Sequence, residues 1–392
     1  MGCLAFLVFY FLSEHLRIIK TVRSIPLRIC VTGTRGKSSV ARLISACLRE
    51  AGFTVLARMT GSKPVIIFPD WEEKEIHRRG SPSILEGKRL LKLGAKLEVN
   101  ALVTELMSIQ PECSYVESTQ LFNPHILVIT NIRLDHIAQM GSSKQEIARC
   151  FASLFPEKGT VFVPQEEFYP VFEKAAEAMS TRLIQVDRKS FQEYTRSEEE
   201  ILPYEFEENV RLVFALAEFL KMDREIVLQG LKKVRPDFGR LKMWTMDVGV
   251  PSQHWNLVSC FAANDPDSTQ RVLSRLMKKK SLEEKEKVGL LNLRRDRGDR
   301  TIQWLRSLNE NSFPEFRKIF LTGEHASAFK KRLKRSNEME SFILKSRAPE
   351  RILEEISEIV KVEAVVVGMG NMGGAGKGLV EYWEKRGKPY DF

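Results

Sequence analysis

No C-x-x-C pair occurs in this 392-residue chain; its six cysteines, at positions 3, 30, 47, 113, 150 and 260, lie far apart. That spacing excludes a zinc ribbon and a disulfide-stapled scaffold. It suits a reducing compartment in which the thiols serve mostly as small buried hydrophobes. RNP, zinc-finger and basic-zipper patterns are also missing, so nucleic acid is not an expected partner despite a formal charge of +10. With 23 glycines and 16 prolines there is no collagen-like or low-complexity bias. Hydrophobic residues at 43% and charged residues at 29% describe an ordinary globular chain, long enough for two domains at roughly 100–200 residues each. The excess of Lys and Arg, 61 against 51 acids, leaves a surface drawn to polyanions such as nucleotides, anionic lipid or an acidic polymer.

A long apolar span is lacking as well. The uninterrupted run Gly2–Leu12, at about 1.5 Å per residue, would cover about half of a ~30 Å hydrocarbon core. It has no basic region before it and no small-x-small site after it, so a cleaved signal peptide is excluded. Arg17, Lys20 and Arg23 follow, a basic bias that keeps the rest of the chain on the cytoplasmic side. Residues 1–23 read as an apolar anchor, a stub or interfacial helix; a helix docked on the core is the alternative.

What is present begins at Leu27–Thr32 (LRICVT), a buried β-rich strand. It runs into Gly33-Thr34-Arg35-Gly36-Lys37-Ser38-Ser39. Apolar residues at 40, 43, 44, 47 and 48 then give a helix that Gly52 closes. Strand, glycine turn, Lys-Ser and helix make a phosphate cradle. The glycines let backbone N–H groups approach phosphate oxygens, Lys37 reaches the β/γ-phosphates, and the Ser38 hydroxyl ligates Mg²⁺. A standard P-loop would need Gly at 31, where the chain has Val31.

The shortened form G-T-x-G-K-[ST]-[ST] after a strand resembles the Mur ligase superfamily, ATP-dependent amide ligases that include folylpolyglutamate synthase. The resemblance implies a fold: an α/β Mur-ligase-like P-loop ATPase domain with a central, mostly parallel sheet over 24–236. A smaller C-terminal Rossmann-like α/β domain would occupy 237–392. It also implies ATP and Mg²⁺ (or Mn²⁺). The metal ligands fall on Ser38, on Glu105 at the end of the strand NALVT, and on His136 in the run Thr130-Asn131-Ile132-Arg133-Leu134-Asp135-His136 after the strand HILVIT. Two hard cations would neutralise the charge that builds up as a carboxylate attacks the γ-phosphate. Asn209, opening the helix NVRLVFALAEFL, falls where the family touches adenine; capping that helix is the alternative. Arg240, in the hinge VRPDFGRL, matches an arginine that reaches back to the ATP phosphates.

The chain departs from the superfamily pattern in three places. The carbamylated lysine that many Mur ligases carry after the histidine has Cys150 at its position, with Lys144 and Lys158 off register. In FAANDPDS, Phe261 stands for the ribose-binding Asp, leaving Asn264 and Asp265 as nucleotide-side candidates. Gly368, Gly370 and Gly373 spell G-x-G-x-x-G, but too little chain follows for a dinucleotide-binding unit, so a glycine-rich turn facing an anionic substrate is expected. Beyond the hinge, alternating strands and helices predict a second parallel sheet, and 277–287 (MKKKSLEEKEK) reads as a solvated loop or helix face.

GTRGKSS, NIRLDH, CFAANDPDST, LLNLRRDRGDR and VVVGMGNMGGAG, with an apolar N-terminus and no room for a UDP-binding domain, resemble poly-γ-glutamate synthase subunits of the PgsB/CapB type over nearly the whole chain. The implied activity is an ATP-dependent amide ligase, acting through an acyl phosphate on a terminal carboxylate that the amine of glutamate then attacks. Lys37, His136 and Arg240 would be the catalytic residues. The implied partners are glutamate, the poly-γ-glutamate chain and membrane subunits of a synthase and export complex, at the cytoplasmic face of the membrane. Arg294, Arg295, Arg297 and Arg300 line a polycarboxylate track or, alternatively, form a basic loop paired with Asp296 and Asp299. A folylpolyglutamate-synthase-like ligase and a non-ligating P-loop ATPase of an export complex are the rival readings.

Overall fold

In this computed structural model the described residues are 2–61, 64–78, 80, 82–187, 205–234, 241–249, 251–276, 279–334 and 339–390. They fall into two compact units, Met1–Asp237 and Phe238–Phe392. Arg240 and the hinge residues around it lie outside the described residues.

The first unit opens with helix α1 (Gly2–Arg23), then β1 (Leu27–Thr32), α2 (Lys37–Glu50), β2 (Val55–Met59), β3 (Val65–Ile67), β4 (Glu73–Glu75), α3 (Leu85–Lys96) and β5 (Ala101–Glu105). A short helix α4 (Pro111–Tyr115) continues as a π-helical turn, Val116–Phe122, before β6 (Ile126–Ile129). There follow α5 (Ile137–Met140), α6 (Lys144–Ala152), β7 (Thr160–Pro164), α7 (Pro170–Met179), β8 (Arg182–Val186), α8 (Glu207–Phe219) and α9 (Arg224–Lys232). The strands form one sheet in the order β4-β3-β2-β5-β1-β6-β7-β8. From β2 to β8 every pairing is parallel; β3 and β4 close one edge antiparallel. Because helices cover both faces, β1, β2, β5 and β6 are buried almost continuously along their length rather than at alternate positions. One core lies against α2, α8 and α9, the other against α3, α6 and α7.

β1 is where the strand order switches sides, with β5 and β2 on one flank and β6, β7 and β8 on the other, all parallel to it. The carboxyl ends of such neighbours bound the crevice where open α/β sheets hold ligands. The phosphate loop follows β1, Glu105 ends β5 and the Thr130–His136 run follows β6.

Helix α1 is divided in its packing. Its second half is docked: Ile18 and Val22 pack on the core, Glu14 pairs with Lys88 at 3.0 Å, and the Arg28 guanidinium donates to the Val22, Ile25, Phe122 and Asn123 carbonyls. From Phe6 to Leu12 the helix is bare, with Phe9 71% and Phe6 67% exposed. Among the described residues no helix is long and apolar enough to cross a membrane.

The second unit holds β9 (Lys242–Val248), β10 (Gln253–Ser259), α10 (Pro266–Leu276), α11 (Lys280–Glu283), β11 (Glu286–Leu293), α12 (Gly298–Asn309), β12 (Lys318–Gly323), α13 (Ala326–Arg332), β13 (Glu340–Ile343), α14 (Pro349–Ile359), β14 (Ala364–Gly370), α15 (Ala375–Arg386) and β15 (Lys388–Pro389). Its sheet runs β13-β12-β11-β14-β10-β9-β15. The expectation of an all-parallel sheet is corrected at one edge: β9 pairs antiparallel with β10, and β15 antiparallel with β9. A short turn suffices for an antiparallel neighbour, so no helical crossover announces β9 in the sequence. The lysine-rich stretch is corrected at its end, where Glu286 and Lys287 already belong to β11, while Lys280–Glu283 is a short helix, one of the two forms expected. Of the cysteines, Cys30, Cys47 and Cys260 are buried as expected, whereas Cys113 is exposed and Cys150 half-buried. Burial pushes the Cys47 thiol up to about 12.

Helices α2 and α9 touch with no slack at Gly230, where an added Cβ would lie 2.7 Å from Cys47 Cα. Gly230→Ala should force them apart and cost about 1–3 kcal/mol. The measurement is a urea titration, in which a lower midpoint with an unchanged slope is expected; an equal or higher midpoint would refute this account of the contact.

Candidate active site

The loop after β1 needs its glycines for separate reasons. Gly33 has φ +128°, and a Cβ there would sit 2.1 Å from Thr130 Oγ1. Gly36 has φ +79°, with Asn209 Oδ1 2.6 Å from where its Cβ would be. The loop is then tied across the sheet to the residues after β6. Asn131 takes the Thr34 N–H on its carbonyl at 3.0 Å and the Arg35 N–H on its side-chain oxygen at 2.9 Å, and its amide donates back to the Arg35 carbonyl. Thr130 Oγ1 donates to that same carbonyl, the Arg133 N–H donates to Thr34 Oγ1 at 3.0 Å, and the Arg35 guanidinium meets buried Asp135 at 2.8 Å. Helix α2 starts at Lys37 without a side-chain cap. Its first N–H groups and the positive end of its dipole, with half-buried Ser38 and Ser39 in the first turn, suit an anion. Lys37 Nζ folds back onto the Gly33 carbonyl at 2.8 Å.

Glu105 is 3% exposed, and its Oε2 accepts from the Ser38 hydroxyl at 2.8 Å and the Thr60 N–H at 2.7 Å. Among the described residues no Lys or Arg pairs with this carboxylate. A buried, cation-free carboxylate touching a hydroxyl offers the oxygen donors that a hard divalent ion takes, the other ligands being phosphate oxygens and water. The residues present therefore fit Mg²⁺ or Mn²⁺ beside a nucleotide. Among the described residues no three His, Cys, Asp or Glu side chains close into a protein-only metal cage. His136 caps α5 with left-handed backbone, φ +51°. Its N–H donates to Asp135 Oδ1 at 3.0 Å, and its Nε2 lies 3.6 Å from Asp135 Oδ2. Cys150, at the missing lysine's position, donates its thiol to the Met140 carbonyl at 3.5 Å, and burial first of all holds its pKa above the usual range.

Asn209 is not the helix cap. It is the third residue of α8, with Phe206 in the cap position, and is buried against Gly36, its amide donating to Glu205 at 3.4 Å. The capping alternative is thereby overturned. Thr130, Asn131 and Asp135 carry much of the loop's support, and Thr60 holds the Glu105 carboxylate, without having been assigned these parts from the sequence. The first three stand in the T-N-x-x-x-D-H run, which was the available signal; Thr60 had none.

In the second unit, Phe261 is fully buried, 5.9 Å from the Trp383 ring and against Gly368. Asn264 has φ +60° and accepts on its carbonyl from Trp304 Nε1, while buried Asp265 holds the Ser268 N–H and hydroxyl, both at 2.9 Å. The expected glycine-rich turn begins only after Gly370 and contains Gly373, whereas Gly368 and Gly370 finish strand β14; Gly368 is small because Phe261 packs on it. A cavity of about 780 Å³ is lined by Arg294, Arg295 and Arg347 together with the carboxylates of Asp296 and Glu324. Arg294 pairs with Asp296 at 2.7 Å, and Arg300 turns inward to Asn371 Oδ1 at 3.1 Å, so the arginine cluster is split.

Residues 31–234 match the Mur ligase middle domain, and residues 246–386 match the poly-gamma-glutamate synthase CapB C-terminal domain. The chain is 30% identical over 391 residues to a Bacillus subtilis protein named PGA synthase CapB, covering 97% of this chain and 96% of that one. It is 29% identical to the capsule biosynthesis protein CapB of Bacillus anthracis, over 97% of this chain and 81% of that one. Among solved structures, a bifunctional folylpolyglutamate synthase/dihydrofolate synthase from Yersinia pestis, complexed with AMPPNP and Mn ion, superposes with a TM-score of 0.69. At 16% identity it covers 95% of this chain and 92% of that one, and it shows a shared fold. With the phosphate loop, the buried acid and the histidine standing at three adjacent strand ends, the chain belongs to the CapB family of poly-γ-glutamate synthases, built on a Mur ligase middle domain.

Proposed function

We propose that this chain is an ATP-dependent amide ligase that extends poly-γ-glutamate. The observation that carries the site reading is the buried Glu105 carboxylate at hydrogen-bond distance from Ser38, in the first turn of an uncapped helix behind a glycine loop. The triphosphate lies along the N–H groups of that loop and the α2 N-terminus. Lys37, released from the Gly33 carbonyl, pairs with the β- and γ-phosphates, and Asn209, beside Gly36, faces the base. Ser38 and Glu105 would hold one Mg²⁺ or Mn²⁺ and His136 would contribute to a second; the ions supply charge neutralisation on the phosphates. The terminal carboxylate of the growing chain attacks the γ-phosphorus, the bond to the β-phosphate oxygen breaks, and ADP leaves. The amine of glutamate then attacks the acyl phosphate, loses a proton and expels phosphate, forming the amide.

Arg240 is proposed as the arginine that stabilises the phosphate charge, and Asn264 and Asp265 as the second unit's nucleotide contacts. The arginines of that cavity support an anionic substrate, because guanidinium forks match carboxylate geometry; Asp296 and Glu324 also line it, and Arg294 is already paired with Asp296. The bare apolar residues 6–12 of α1, followed by Arg17, Lys20 and Arg23, support attachment to the cytoplasmic face of the membrane beside membrane subunits of the synthase. Rival readings of the same fold differ in the acceptor: folylpolyglutamate-type chemistry needs a folate, and a pure ATPase needs no glutamate.

With ATP, labelled glutamate and either oligo-γ-glutamate or tetrahydrofolate, ADP release and label incorporation should follow oligo-γ-glutamate. Incorporation with the folate alone, or glutamate-independent ADP release, would refute the assignment. Lys37→Ala should lower kcat about 10²- to 10³-fold, measured by the same ADP release at saturating ATP. For the N-terminus, Phe6→Ser with Phe9→Ser should change thermal stability by less than about 0.5 kcal/mol, since both rings are exposed. The same pair should reduce sedimentation with anionic vesicles; undiminished sedimentation would remove α1 from membrane attachment.

A further inference from the structure

Beneath Glu105 lie two fully buried side chains of opposite charge that the ligase chemistry does not use. Arg58 of β2 is 1% exposed and Glu117, in the π-helical turn after α4, is 0% exposed; they meet at 2.9 Å. Taking both charges out of water is costly, and apolar replacements of such pairs are often neutral or stabilising, so the fold alone gives little reason for the pair. Arg58 even leaves its Nη1 without a hydrogen-bond partner over the Phe122 ring. π-Helical turns are rare and concentrate at functional sites.

The remaining bonds of the pair end on the segments that present the Glu105 carboxylate. Arg58 and Thr104 are register partners on adjacent strands, and Arg58 Nε donates to Thr104 Oγ1 at 3.0 Å. Arg58 Nη2 donates to the carbonyl of Glu105 itself at 3.1 Å. Glu117 Oε2 accepts from the N–H groups of Met107 and Ser108, at 3.0 and 2.8 Å, just past Glu105. Two residues beyond Arg58, Thr60 gives its N–H to the Glu105 carboxylate. The backbone is thus fixed before, at and after Glu105, and the strand carrying the second donor to its carboxylate is fixed with it.

We propose that the Arg58–Glu117 pair is the positioning element that holds the Glu105 carboxylate at Ser38 for a divalent cation. The inference rests on the metal role proposed above for Glu105. Groups that orient a ligand from behind typically change metal affinity 10–100-fold.

The test is Mn²⁺ titration of the full-length chain, followed by electron paramagnetic resonance with a non-hydrolysable ATP analogue present. Glu117→Gln, which removes the charge and sets an amide against the guanidinium, and Thr104→Val, which removes only a hydroxyl, should each raise the apparent Mn²⁺ Kd. The rise should be tenfold or more for Glu117→Gln and smaller for Thr104→Val. Thr104→Val carries the test if Glu117→Gln does not fold. The paired apolar variant Arg58→Met/Glu117→Leu separates positioning from stability: it should melt at or above the parent temperature yet keep the weakened Mn²⁺ binding. Return of Mn²⁺ affinity with stability would overturn the proposal, as would parental affinity in Glu117→Gln. Glu105→Gln is the control. Parental Mn²⁺ affinity there takes the metal role from Glu105 and this inference with it. Loss there, without loss in the Glu117 and Thr104 variants, overturns the positioning role alone and leaves the ligase reading intact.

Discussion

The first unit depends on the pinning of the loop after β1 by the loop after β6. A glycine-rich turn is entropically expensive to hold in one shape, yet a phosphate cradle works only if its N–H groups already point inward. Asn131 solves this by acting on the Thr34–Arg35 backbone with both ends of its side chain and its own carbonyl. Arg35 and Asp135 add a charged tie outside. These bonds are possible only because β6 is the parallel neighbour of β1. Strand order is thereby converted into a pinned loop, and β5 on the other flank delivers Glu105 to the same end of the sheet.

What could be read from the sequence follows how local each signal is. Gly33, Gly36, Lys37 and Ser38 were legible because one short segment carries strand, turn and helix start together. Glu105 and His136 were legible as acid and imidazole at strand ends. The bonds of Asn131, Thr130 and Asp135 join residues about a hundred positions apart and become visible only once β1 and β6 are neighbours. Asn209 illustrates the same limit: its place in an apolar helix allowed a cap, and only the fold sets it against Gly36. Gly368 and Gly370 misled because a motif records glycine without recording why it is there. At Gly368 the reason is the ring of Phe261, the residue that also displaces the expected acid.

The burial of Glu105 connects fold to chemistry. A carboxylate with 3% exposure and only a hydroxyl and an N–H as donors is poorly compensated, while a few ångströms away the fully buried Glu117 has an arginine and two N–H groups. Two buried acids on neighbouring segments thus receive opposite treatment. If both existed for stability, the available guanidinium would serve either equally well. Instead Arg58 gives Glu105 only a bond to its carbonyl and spends its charge on Glu117, which leaves the Glu105 carboxylate as the side of the pocket still in need of positive charge. In the proposed function, a nucleotide entering with a divalent ion brings that charge, so that the same event that binds the substrate completes the electrostatics of this acid. At Cys150 a thiol bonded to the Met140 carbonyl, its pKa raised first of all by burial, offers no anionic bridge, so in the proposed reading the charge balance at this edge of the sheet falls on Glu105.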